Sequence, residues 1–242
     1  MTMALLSVIK DVCATVGVTI PSSVFSNITG NRTMQEMLSL ANEMAQRIAY
    51  DNRDWTALKR TNTIVGDGVS TAFDLPADYQ RMLLTSNVWR STSTQSPMRF
   101  IPDTDEWLNR RADEVTDTAA WGEWTMLGGQ IHIWPVLEVD QSAYFAYLHR
   151  NCIALASGGF GDVFMADGDR PVLNERVLKL GMIWQWKAQK GAPYAEDMGT
   201  YGDALTYAMG HDAPAPIIIG RRPISANARY AYPFEAPTGY VT

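Results

Sequence analysis

Three aspartates in the stretch "GDVFMADGDRP" are the residues whose spacing comes nearest to a known chemistry, calcium binding. Asp162, Asp167 and Asp169 are close together in the sequence, and a calcium loop draws several oxygen ligands from one short segment. No glutamate follows at the spacing that such a loop requires, so no metal is expected here. Because the stretch precedes a predicted helix, we expect Asp167 or Asp169 to cap that helix, with Pro171 in its first turn.

Phosphate binding, metal binding by histidine and nucleophilic catalysis all lack the residue patterns that they need. The glycine-rich stretch "SGGFGD" (residues 157–162) has neither the lysine nor the Ser/Thr of a phosphate-binding loop. His132, His149 and His211 show no metal-ligand spacing, and none lies in a nucleophile motif. The sequence therefore predicts no cofactor, no metal site and no enzymatic activity.

Acidic residues and tryptophans leave one alternative open, an action on glycans. Asp103, Asp105 and Glu106 are neighbours in the sequence, but a glycosidase needs two carboxylates that face each other across a cleft. Trp121 and Trp124 in "AWGEW" are suited to stacking on a sugar ring, although such tryptophans more often lie in a core or an interface.

The composition bounds the class of protein. The chain has 242 residues, 46% of them hydrophobic, which suits one large domain or two small ones. Its net charge of −6 argues against general affinity for nucleic acid. No apolar run is long enough to span a bilayer, and Cys13 and Cys152 are too few for a disulfide framework, which favours a reducing, cytoplasmic origin. Eight Trp and ten Tyr favour extensive packed surfaces between subunits.

Apolar periodicity predicts an α+β fold in four parts. Residues 1–60 contain a helix over about residues 3 to 16, which ends at Gly17, and a second helix capped by Thr33 with Glu36 three positions later. Residues 61–152 read as an insertion of antiparallel strands that starts with a hairpin around Gly-Asp-Gly. Residues 170–210 return to helix, so the N- and C-terminal helices are expected to form one helical bundle. Residues 211–242 are expected to form an extended C-terminal arm.

The stretch "FDLPADYQRM" is predicted to be a structural corner. Pro76 biases the preceding residue toward an extended conformation and ends a strand. Asp78 is expected to accept hydrogen bonds from nearby backbone amides, and Tyr79 offers a large apolar face with a polar tip.

Several motifs in order resemble the adaptor, or head-to-tail connector, proteins of tailed bacteriophages. They are a helix of the "MLSLANEMAQRIAYDNRDWTALKR" kind, the Leu-Pro-x-Asp-Tyr step, the strand "GGQIHIWP", the Asp-x-Asp-x-Pro stretch and the helix "WQWKAQKG". The resemblance covers about residues 1 to 210. It implies a structural virion protein that forms a ring, of twelve copies as in related adaptors, beneath the portal of the DNA-filled head.

The same resemblance implies the partners and the location. The ring would bind the portal protein above and tail, nozzle or other neck proteins below, and double-stranded DNA would pass through its lumen without sequence-specific binding. The chain would be made in the cytoplasm of the bacterial host and end in the virion neck, with no membrane partner. The β-rich part is our choice for the side that faces the tail.

The C-terminal arm is the predicted portal contact. It combines prolines, a run of three isoleucines (residues 217–219) and four aromatic residues, which is typical of a segment that lies extended on a partner. The predicted contact residues are two arginines that would pair with acidic portal groups and three apolar anchors: Arg221, Arg222, Tyr230, Tyr232 and Phe234.

Three other functions stay open at this point. The chain could be another ring of the neck, such as a stopper or a tail terminator. It could also be a virion glycan hydrolase or a glycan-binding module.

Overall fold

In the described residues, helices come before and after a β-rich middle, which gives the mixed α+β fold that the sequence predicts. The computed structural model describes residues 3–26, 28–83, 86–91, 96–112 and 121–212. The helices of this part are α1 (Leu5–Val16), α2 (Arg32–Tyr50), α3 (Thr104–Ala112), α4 (Glu175–Gln189) and α5 (Ala195–Asp212).

The strands of the described residues form three small sheets. They are β1 (Lys59–Val65), β2 (Ala72–Asp74), β3 (Tyr79–Met82), β4 (Trp89–Arg90), β5 (Arg99–Phe100), β6 (Glu123–Leu127), β7 (Gln130–Trp134), β8 (Ser142–His149), β9 (Ile153–Ala154), β10 (Phe160–Gly161) and β11 (Arg170–Pro171). One sheet has the order β1-β8-β3, with β4 also beside β8; the others have the orders β2-β7-β6-β5 and β10-β9-β11. Only β5 and β6 pair in parallel among these strands.

The predicted hairpin around Gly-Asp-Gly is wrong, because its two strands belong to different sheets. Strand β1 pairs with β8, and β2 pairs with β7. The turn between them is closed by Asp67, whose carboxylate accepts the amides of Val69 and Ser70. A Cβ atom at Gly66 would overlap the backbone of residues 137 and 138. Close packing against that distant segment, and not a local hairpin, therefore determines the course of this turn.

The helix ends agree with the sequence in one case and differ in another. Helix α1 ends at Gly17, which has the left-handed conformation (φ 74°) that glycine adopts most readily. Helix α2, however, is capped by Asn31, whose side-chain oxygen accepts the Met34 amide at 3.3 Å, and not by Thr33. Glu36 pairs with lysine and arginine side chains instead of completing a capping box.

A first buried cluster joins α1, α2, α4 and α5. Helix α4 packs against the other three, and its Gly181 permits the close approach. A Cβ atom at that position would lie 2.6 Å from Met44 Sδ on α2 and 3.1 Å from Tyr201 on α5. Lys179 on α4 also pairs with Asp11 on α1 at 3.2 Å. Helix α4 is therefore the central element that the other helices cover.

A second buried cluster fills the space between the two four-stranded sheets. Strand β7 alternates as the sequence predicts, with Ile131 and Ile133 fully buried. Neighbouring residues at the end of β8 belong to different clusters, since Tyr147 lies in the second and Leu148 in the first. Strand β8 therefore adjoins both cores.

The start of α4 corrects the predicted helix cap. The helix begins at Glu175, and Asn174 is its cap; the Asn174 side-chain oxygen accepts the amides of Arg176 (2.9 Å) and Val177 (3.4 Å). The carboxylates of Asp167 and Asp169 lie in the loop before β11 and accept no hydrogen bond from the first turn of α4. The cap is thus Asn174, directly before the helix, and not one of the two aspartates that the sequence analysis favoured.

Replacing Asn174 with alanine is expected to lower the free energy of unfolding by about 1 kcal/mol, because two first-turn amides lose their acceptor. Denaturant titration followed by circular dichroism measures the change. Asn174→Asp, which keeps an acceptor oxygen, is the control and should stay close to the native value. Equal losses in the two variants would show that the cap is not the cause.

Candidate interaction sites

Asp169 carries a buried carboxylate that accepts hydrogen bonds from three backbone amides. Its side chain is 1% exposed. One carboxylate oxygen accepts the Ala156 amide at 2.8 Å, and the other accepts those of Met165 (2.6 Å) and Ala166 (2.8 Å). The carboxylate therefore holds the loop after β10 against the segment that follows β9.

The backbone of the same loop holds the start of α1. The carbonyl of Asp169 accepts the Leu5 amide at 2.8 Å, and that of Asp167 accepts the Leu6 amide at 3.2 Å. The first amides of a helix have no acceptor within the helix, so these carbonyls supply what α1 lacks. The Asp167 carboxylate also accepts the Val24 amide at 2.9 Å. The Asp-x-Asp-x-Pro stretch is therefore a junction between distant parts of the chain.

The corner at residues 76–79 carries the chain from one sheet to another. Strand β2 ends before Pro76, and β3 begins at Tyr79, whose amide donates to the Pro76 carbonyl at 2.9 Å. The Asp78 carboxylate accepts the hydroxyl of Tyr147 at 2.9 Å, where backbone amides had been expected. The Asp78 carbonyl accepts the Arg150 amide at 2.8 Å. The corner is thus tied to β8 and to the residue that follows it.

Burial raises the pKa of the Tyr147 hydroxyl to about 12, and the hydrogen bond to Asp78 adds to the shift. Since the ordinary value is near 10, this residue stabilises the fold fully below pH 10, and the contribution is lost as the pH rises through 12. We expect the stability advantage of the native chain over Tyr147→Phe to shrink between about pH 10 and pH 12. Denaturant unfolding at several pH values measures it.

The matched control is Tyr144→Phe, which removes a half-exposed hydroxyl from the same strand and keeps Tyr147. That variant should show the same alkaline loss as the native chain. A Tyr147→Phe variant whose stability falls in parallel with the native chain would contradict the prediction.

The root of the C-terminal segment is the third site. The predicted arm started at residue 211, but α5 continues to Asp212. The Asp212 carboxylate accepts the Thr56 amide at 3.0 and 3.2 Å and lies 3.7 Å from the Arg53 guanidinium. Arg53 also donates to the Met209 carbonyl. The last turn of α5 is therefore fastened to the connection between α2 and β1.

The five predicted portal contacts lie outside the described residues. They are Arg221, Arg222, Tyr230, Tyr232 and Phe234. The contact between Thr56 and Asp212 was not predicted, because the two residues are far apart in sequence and no local pattern links them. The only available signals were an acidic residue at a helix end and a threonine before a strand, and both are common.

The residues considered for sugar binding, catalysis or metal binding take structural positions in the fold. Trp124 is 4% exposed, and its ring centre is 4.5 Å from that of Phe100, so it is a core residue and not a sugar platform. His149 is buried, and burial lowers its pKa. In the part of the chain that the structure describes, no group of three or more His, Cys, Asp or Glu side chains is arranged to hold a metal ion.

Comparisons with known proteins add no assignment. No family model matches the chain, and no curated protein matches it significantly in sequence. Within the described ranges, none of the helices combines the length and the apolar character that crossing a membrane requires.

Proposed function

We propose that the chain is a head-to-tail adaptor of a tailed bacteriophage. It would form a ring beneath the portal, bind tail or other neck proteins below, and let double-stranded DNA pass through its lumen. The proposal rests on the ordered set of motifs that resembles this family. It includes the virion neck as the location and a ring of twelve copies.

The observation that best supports the proposal is where those motifs lie. The Leu-Pro-x-Asp-Tyr step is the crossing between two sheets, and the Asp-x-Asp-x-Pro stretch is the junction at the start of α1. The Trp-x-Trp-Lys stretch belongs to α4, the central helix. Motifs that determine a fold are the ones a structural family would share, whereas catalytic residues would serve an enzyme.

The helical bundle and the C-terminal arm are part of the same proposal. Helices α1, α2, α4 and α5 share one buried cluster, which supports a helical bundle. Residues 213–242 would be the C-terminal arm, with Asp212 at its root. A fixed root limits the volume that an arm can explore, and this reduces the entropy lost when the arm binds.

The arm would supply the portal contact. Arg221 and Arg222 would pair with acidic portal groups, and Tyr230, Tyr232 and Phe234 would bury their rings. Aromatic and arginine side chains dominate the binding energy of protein interfaces. The β-rich part would then face the tail.

The net charge of the chain suits a DNA channel. At −6 the chain repels phosphate on average, and a lumen lined by carboxylates would let DNA slide without sticking. Among the alternatives, a stopper or tail terminator shares this feature and would differ only in its partner. The burial of Trp124 removes half of the pair that favoured glycan binding.

Sedimentation velocity of the purified chain, alone and mixed with portal rings of the same phage, tests the proposal. We expect the chain to move onto the portal peak at a fixed, ring-like stoichiometry. A chain that ignores the portal at micromolar concentration and binds the tail tube or a different neck ring would be a stopper or terminator. A chain that turns over or binds peptidoglycan, and ignores both, would be a glycan protein.

A further inference from the structure

Strand β1 has one open edge. It pairs with β8 in unbroken register over all seven of its residues. On its other side, no strand pairs with it among the residues that the structure describes. Five of its seven side chains are exposed, and Ile64 is the one that points into the core between the sheets. β1 is therefore a long, regular edge strand.

The hydrogen-bond pattern shows which backbone groups face outward. The Gly66 amide donates to the Gln141 carbonyl at 2.8 Å. Bonding alternates along an antiparallel pair, so Arg60, Asn62 and Ile64 bond to β8. The other side of β8 fits this alternation, because the Ser142 and Ala146 carbonyls accept hydrogen bonds from the segments on that side. The amides and carbonyls of Thr61, Thr63 and Val65 must then point away from the sheet.

The stretch from Thr61 to Val65 lacks the features that usually keep edge strands apart. Proteins place proline, a bulge or charged side chains there. Residues 61–65 have no proline, no bulge and no charge, and Val65 is 64% exposed. Charges stand at the two ends: Lys59 and Arg60 begin the strand, and Asp67 follows just beyond its last residue.

We propose that β1 pairs antiparallel with β1 of a second copy of this chain, forming a two-fold homodimer. In the register centred on Thr63, this residue lies opposite itself, and Thr61 lies opposite Val65 of the second copy. The outward backbone groups of these residues then face each other, and each pair exchanges two hydrogen bonds.

Charge complementarity favours this register. It also favours a second copy of the chain as the partner of the open edge of β1. The same alignment places Lys59 opposite Asp67 of the second copy, and the two-fold axis repeats the pair. Bonds from the Ser70 hydroxyl and from the Ser70 and Val69 amides lower the pKa of Asp67 to about 2, so it is charged at neutral pH. Directly opposite residues of unlike charge, and threonine pairs, favour antiparallel strands.

The dimer goes beyond the adaptor proposal and does not depend on it. A two-fold contact uses the same patch on both copies and closes on two subunits, so it cannot be kept in a cyclic ring. We assign it to the free chain. In an adaptor, the dimer would have to open before a ring could form.

Charge variants of Thr63 test the dimer, because the residue faces itself across the axis. Thr63→Lys and Thr63→Glu each place like charges opposite each other, while the fold tolerates either at an exposed position. Each variant alone is expected to be monomeric, and an equimolar mixture should form a heterodimer. Thr63→Ala, the matched neutral control, should dimerise like the native chain. Sedimentation equilibrium over about 1 to 200 µM suits an interface below the standard size.

Each outcome decides for or against the dimer. A native chain that is monomeric over this range overturns the proposal. So does a native-like dimer in both charge variants, and a mixture that stays monomeric excludes this register. Asp67→Asn, which keeps an acceptor for the turn amides, should weaken the native dimer by about fivefold or more, since the pair occurs twice. Portal binding by the native chain is a separate readout, so the adaptor proposal can fail or stand independently.

Discussion

Asp169→Ala is expected to lower the free energy of unfolding by about 3–5 kcal/mol, one of the two largest effects that we anticipate. The substitution removes the acceptor of three backbone amides in a buried position. Each amide left without a partner costs about 1 kcal/mol or more, and water has no direct access to replace the carboxylate. Guanidinium unfolding of the purified variant measures the loss.

Two variants of the same loop serve as controls. Asp167→Ala removes one amide contact, to Val24, and should cost about 1 kcal/mol. Asp169→Asn keeps one acceptor oxygen and should fall between the native chain and the alanine variant. If Asp169→Ala were no more damaging than Asp167→Ala, the junction would not depend on this carboxylate.

Truncation after Asp212 is expected to abolish portal attachment and leave the fold intact. If the arm supplies the aromatic and arginine contacts, its removal should weaken binding by at least about a hundredfold, as the loss of several hot-spot residues does. Co-sedimentation with portal rings measures binding, and thermal unfolding measures the fold. Unchanged attachment would contradict the assignment of the arm as the portal contact.

The cut site matters because of the root. Truncation after Gly210 also removes Asp212 and its bonds to the Thr56 amide. We expect the free energy of unfolding of this shorter chain to be about 1 kcal/mol lower than that of the chain truncated after Asp212. A pair of truncations with the same stability would show that the root does not hold the last turn of α5.

Local sequence patterns predicted the helices and strands better than they predicted which strands pair with each other. The apolar stripes of α1, α2 and α4 and the alternation of β7 depend on residues within a few positions of one another, so the sequence revealed them. The pairing of β1 with β8 depends on a segment about eighty residues away, and no local rule specifies it. The hairpin prediction failed for this reason, since a turn motif does not say which sheet receives each strand.

The candidate sites show the same difference between local features, which the sequence predicts, and contacts between distant segments, which it does not. Asp167 and Asp169 were predicted to cap α4, and this was wrong because the amides that bond to their carboxylates lie outside that helix. Pro76, Asp78 and Tyr79 lie where the chain passes from β2 to β3, whereas the hydrogen bond from the Tyr147 hydroxyl to Asp78 depends on a strand far along the chain. The predicted caps were wrong because Asn31 and Asn174, which stand directly before α2 and α4, also carry side-chain oxygens suited to capping.

The central place of α4 has a consequence for how the chain folds as it leaves the ribosome. Met44 on α2 and Leu5 on α1 are fully buried, and α4 covers that side of both helices. Synthesis must therefore continue through the whole β-rich middle before these apolar faces can be covered. At synthesis rates of about 5–20 residues per second this interval is on the order of ten seconds. During that time the nascent N-terminal helices are natural clients for a chaperone, and expression that outruns chaperone capacity should favour aggregation.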